Sequence, residues 1–65
     1  MMEEKIEING KKYNVIQSEI TNPFERMASL QPMEAVRYFG YYMYRTEDYR
    51  PRMCYADDPE NNFSI

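Results

Sequence analysis

The residues of this chain best suited to do chemistry form a short run of tyrosines with one arginine, Tyr38, Tyr41, Tyr42 and Arg45, with Tyr49 four residues beyond. Tyr and Arg join a large contact area to a polar tip that finds a hydrogen bond, which is why they concentrate at the energetic centres of protein interfaces. The same rings could instead cover a core too small to close by itself. Binding, not bond making, is the chemistry they offer.

Two other clusters are weaker. Arg45, Arg50 and Arg52, beside Tyr49 and Tyr55, could grip carboxylates or stack on bases, but Glu47 and Asp48 stand alongside as neutralising neighbours. Asp57, Asp58 and Glu60 form an acidic patch that a basic partner could use as a secondary site. They lack the spacing and the turn glycine of a calcium loop.

Catalysis lacks its usual tools. There is no histidine, so the commonest general base and the commonest zinc ligand are both missing. Cys54 is the only cysteine; it can form no internal disulfide, and without histidine only the nearby arginines could lower its pKa. The two glycines lie thirty residues apart and make no phosphate loop. The sequence therefore predicts no enzyme, no catalytic residue, no metal and no cofactor.

Charge narrows the partner. Eight Lys and Arg against eleven Asp and Glu leave a net charge of -3, which supplies no basic stripe for a phosphate backbone. Direct nucleic-acid binding is not expected. An acidic mimic of nucleic acid, seated in a basic cleft, is one alternative. A small structural subunit that self-assembles through the tyrosines, as a homodimer for example, is another. The leading expectation is a small acidic module that binds a larger protein as a stoichiometric inhibitor or adaptor.

These residues need a scaffold, and 65 residues allow one small domain near the lower limit for a disulfide-free core. Seven Tyr and three Phe argue against disorder despite 29% charged residues. No apolar run reaches the length of a signal core or a membrane span, so the reading is a cytoplasmic protein with no membrane partner.

Residues 3–18 read as a β-hairpin about Asn9-Gly10. With those two as the turn, Ile8 faces Lys11, Ile6 faces Tyr13 and Glu7 faces Lys12. A four-residue loop would pair Ile8 with Tyr13 and Ile6 with Val15, and would bury more. In Thr21-Asn22-Pro23-Phe24-Glu25, Asn22 can cap a helix over about 23–30, with Pro23 in its first turn and Glu25 completing a capping box.

Pro32 then opens a longer aromatic helix over 33–45. At 100° per residue Met33, Val36, Phe39, Gly40, Met43 and Tyr44 share one face, and Tyr38, Tyr41, Tyr42 and Arg45 the other. A competing reading makes Val36 to Arg45 a strand, since Val, Phe and Tyr favour strands and Gly40 costs a helix about 1 kcal/mol; Thr46-Glu47-Asp48 is then a turn and 52–56 a returning strand.

The fold expected is thus α+β: an N-terminal hairpin, a short helix, a longer aromatic helix, and room for a third antiparallel strand near 52–56. Residues 57–65 read as a mobile or docking tail. Burial is expected at Ile6, Ile8, Val15, Phe24, Met27, Leu30, Val36, Phe39 and Met43. In size, acidity, lack of histidine and tyrosine content the chain resembles small phage-encoded inhibitors of host or defence proteins, which implies the same inhibitory role.

Overall fold

Asn9 and Gly10 take φ of 53° and 78°, the left-handed pair that a two-residue hairpin turn requires. They join β1 (Glu4–Ile8) to β2 (Lys11–Ile16), with Ile6 opposite Tyr13 and Ile8 opposite Lys11. The alternative four-residue loop keeps the same apolar side chains on one face, so turn geometry decides between the registers. The computed structural model describes residues 4–16 and 22–65. Glu3, Gln17, Ser18 and Thr21, which entered the sequence reading, lie outside the described residues.

Asn22 caps α1 (Pro23–Ser29): its side-chain oxygen accepts from the backbone N–H groups of Phe24 and Glu25 at 3.1 and 3.3 Å. This two-turn helix packs on the sheet through Met27 and the capping Leu30, both buried. Phe24, expected in the core, sits on the first turn and is 80% exposed.

The expected long helix over 33–45 does not form, and the α+β reading gives way to a mostly β fold. In its place stand β3 (Glu34–Tyr38) and β4 (Tyr41–Arg45), an antiparallel pair about Phe39-Gly40. The competing strand reading is closer, yet it too missed the turn at 39–40. β-branched and aromatic residues fit a pleated, half-buried surface, and Gly40 falls where the chain must turn instead of inside a helix.

β5 (Pro51–Tyr55) returns along β4, and β6 (Asp58–Ser64) along β5. The six strands form one sheet in sequence order, antiparallel except for the parallel β2–β3 pair that α1 bridges, and the sheet curls into a half-barrel. The strand expected near 52–56 is thus β5, paired with β4 and β6 and not with the first hairpin. Residues 57–65, read as a mobile or docking tail, supply edge strand β6.

Pleating sorts the side chains. Ile8, Tyr13, Ala35, Tyr42, Tyr44 and Cys54 fill the inner face of the curl. On the outer face Val36 and Met43 meet Met27 and Leu30. β4 is therefore covered on both sides near its middle, and Tyr42, Met43 and Tyr44 are all buried in succession. Toward β5 and β6 no described helix covers the outer face.

The register on β6 jumps from Cys54 opposite Asn62 to Tyr55 opposite Asp58, so residues 59–61 bulge away from the ladder. The Asn62 side chain donates to the carbonyl of Glu60 at 3.1 Å and to Asn9 Oδ1 at 3.0 Å. That second bond joins the last strand to the first hairpin turn at one end of the curl. Among the described residues no helix is long and apolar enough to cross a membrane.

Candidate functional site

The strand directions put the 39–40 turn and the 56–57 turn at one end of the sheet; the backbone N–H of Ala56 donates to the carbonyl of Gly40 at 2.9 Å. The Asn9-Gly10 and 46–50 turns lie at the other end. On the outer face beside the first pair of turns, cross-strand partners are Tyr38 with Tyr41, Tyr41 with Tyr55, and Met53 with Phe63.

That register assembles a band of aromatic rings. Tyr41 lies 5.1 Å from Tyr55 and 6.4 Å from Phe63, Tyr55 lies 6.1 Å from Phe63, and Tyr38 meets Phe39 edge-on at 4.6 Å between centroids. All fall within the range in which ring quadrupoles attract. Tyr38 and Tyr41 are half-buried, whereas Tyr55, Phe63 and Phe39 are 37%, 38% and 79% exposed.

Phe39, expected in the core, is the most exposed of these rings and has the most unusual backbone. Its φ is 53°, while the glycine after it is not left-handed. A positive then a negative φ across a two-residue hairpin favours glycine at the first position, and here the glycine is second. A bulky residue in this region costs about 1–2 kcal/mol. The Arg37 Nε donates to the Phe39 carbonyl at 2.7 Å and helps to hold the turn.

Of the residues singled out from sequence, Tyr38 and Tyr41 join this band. Tyr42 does not: it points into the curl, is 8% exposed, and carries the Arg37 guanidinium 5.5 Å above its ring. Arg45 and Tyr49 lie at the far end of β4. The Arg45 guanidinium sits 5.1 Å from the Tyr49 ring and donates to the carbonyls of Met27 at 2.6 Å and Tyr49 at 2.8 Å. Among the described residues its buried Nε has no hydrogen-bond partner. The Tyr49 hydroxyl donates to Gln31 Oε1 at 3.2 Å. These two residues pin the end of α1 to the 46–50 turn.

The basic group is dispersed as well. Arg50 pairs with Asp48 at 2.9 Å in solvent, and Arg52 turns inward to bond Tyr44, Asn62 and Ser64. Cys54 is fully buried on the inner face, and burial pushes its thiol pKa up, so it stays protonated and shielded.

Asp57 lies in the turn beside Gly40, Asp58 stands across from Tyr55, and Glu60 rides on the bulge. All three are exposed, and among the described residues none makes a salt bridge. They edge the aromatic band instead of forming a separate patch.

Sequence reasoning missed Phe39 and Phe63 as members of this band and placed Tyr55 with the arginines instead. The usable signal was Phe39-Gly40, an X-Gly pair between β-forming segments like Asn9-Gly10. No protein-family model, curated protein or solved structure matches this chain.

Proposed function

We propose that this chain is a protein-binding module that docks the aromatic band of Tyr38, Phe39, Tyr41, Tyr55 and Phe63 on a larger protein. It acts by occupying that surface, as a stoichiometric inhibitor or adaptor. The observation that carries the reading is Phe39. Apart from its edge-on contact with Tyr38, this ring is held in solvent on a strained turn and adds little to the isolated chain, and backbone strain of this kind concentrates at ligand clamps. Rings fixed on strands lose little freedom on binding, which raises the affinity obtained per contact.

Occupancy, not turnover, fits the side chains available, since the thiol is buried and the cations are engaged or dispersed. A nucleic-acid mimic draws less support, because Glu47 is paired with Lys11 and Asp48 with Arg50. Self-assembly would use the same band and is read by the same experiment.

Photoreactive benzoylphenylalanine placed at position 39, with position 12 on the outer face of β2 as control, tests the reading in extract of the native cells. The expected result is one dominant adduct with a larger protein from position 39 alone. An adduct of twice the chain mass would replace this reading with self-assembly. Equal or absent labelling from the two positions would end it.

A further inference from the structure

Resting on that reading, we infer that the surface receiving the aromatic band is an apolar recess edged by Lys and Arg side chains. The charge around the rings is negative. On the outer face of β3 to β6 the one cation is Arg45, and its guanidinium is occupied by the Met27 and Tyr49 carbonyls at the far end of β4. Glu34, on the same face, is likewise held, accepting from the backbone N–H of Gln31 at 2.8 Å.

Beside the rings stand Asp57, Asp58 and Glu60, exposed and unpaired among the described residues. Asp57 is held next to the Phe39 turn by the Ala56 to Gly40 hydrogen bond, and Asp58 is the cross-strand partner of Tyr55. The lysines that share the outer face, Lys5 and Lys12, are on β1 and β2. At about 4.8 Å per strand Lys5 is three strands from Tyr41, roughly 14 Å, beyond the physiological screening length of about 8 Å.

One cation stands at the Phe39 turn: Arg37, which projects from the inner face with its Nε on the Phe39 carbonyl and its guanidinium over Tyr42. Against it stand three carboxylates, so a partner meeting Phe39 feels a net negative charge. An acidic or phosphate-bearing surface would be repelled, although flat aromatic rings on a sheet could otherwise stack bases. Exposed rim charges act mainly on the rate of encounter, while the desolvated rings hold the complex. Phe39 is thus the anchor, and Asp57 and Asp58 steer.

Selection of a displayed library of random dodecapeptides on the immobilised chain, with Phe39→Gly as counter-target, tests this. The inference predicts enriched peptides that place an aliphatic or aromatic residue within a few positions of Lys or Arg. For a purified winner, association should slow several-fold in high salt and in the Asp57→Asn, Asp58→Asn double variant, with dissociation little changed. Phe39→Gly should instead speed dissociation at least tenfold. Phe39-dependent peptides that are neutral or acidic, and insensitive to salt, would overturn the basic partner while leaving the aromatic band as a binding surface. No Phe39-dependent peptide at all would overturn both.

Discussion

Asn9 and Phe39 share a φ of 53°, each is the first residue of a two-residue hairpin turn, and each is followed by glycine. Asn tolerates the left-handed region because its short polar side chain can bond locally. Phe has no such compensation. The strands on either side impose the conformation, and the ring is left in solvent.

Phe39→Gly should therefore leave stability close to that of the parent. Relief of about 1–2 kcal/mol of backbone strain is offset by about 0.4–1 kcal/mol from the greater freedom of glycine in the unfolded chain and by about 0.5–1.5 kcal/mol from loss of the edge-on contact with Tyr38. The melting temperature is expected to stay within roughly 8 °C of the parent. A loss of ten degrees would mean that the ring stabilises the fold and is not held out for a partner.

Tyr41 and Tyr42 are adjacent but face opposite sides of the sheet. Tyr42→Ala empties a buried site and should cost about 3 kcal/mol, lowering the melting temperature by more than roughly 10 °C in a domain this small. Tyr41→Ala, half-buried on the outer face, should cost less than half as much. Circular dichroism melts of the two variants read the difference, and equal losses would contradict the assignment of faces.

Arg45 joins α1 to the 46–50 turn through two carbonyls. Arg45→Met keeps the apolar stem of the side chain and removes both bonds, so amide exchange in α1 should quicken at least fivefold while the β3–β4 ladder stays protected. Hydrogen exchange read by NMR checks this. Unchanged protection of α1 would show that Met27 and Leu30 alone hold the helix.

Stability should fall on the alkaline side. Burial raises the Cys54 thiol above its ordinary 9.0, and burial followed by the Tyr13–Tyr44 interaction raises Tyr13 above 10.0. The Glu47 hydrogen bond raises Lys11 above 10.5. Each group holds its proton more tightly when folded, so its contribution is complete below the ordinary value and is lost as pH rises through the folded one. Asp48 has the opposite sign: the Thr46 hydroxyl lowers it below 3.8, and its contribution is lost as pH falls through that lowered value. Urea midpoints against pH should show a plateau with decline beginning near 9.0, and Cys54→Ala should delay the onset toward 10.0. An onset unmoved by Cys54→Ala would contradict the role given to burial of the thiol.

The first hairpin and the helix cap were legible because local chemistry fixes them: Asn9-Gly10 supplies the turn, and Asn22 supplies the oxygen for two N–H groups. The aromatic segment was not. Val36 and Met43 are seven residues apart, a spacing that suits both two helical turns and a pair facing across the 39–40 turn. Burial of Tyr42, Met43 and Tyr44 in succession also removes the alternation by which a strand is recognised. Two members of the band, Tyr38 and Tyr41, could be chosen from sequence. Tyr55 and Phe63 join them only through the registers of β4 with β5 and of β5 with β6, which no local signal encodes.

The most direct test of the central claim is capture from native extract with the chain and with Phe39→Gly side by side, each melted under the same conditions. The account predicts that the variant melts within roughly 8 °C of the parent and loses at least nine-tenths of the captured protein, a tenfold change worth about 1.4 kcal/mol. Equal capture by the two folded proteins would contradict it.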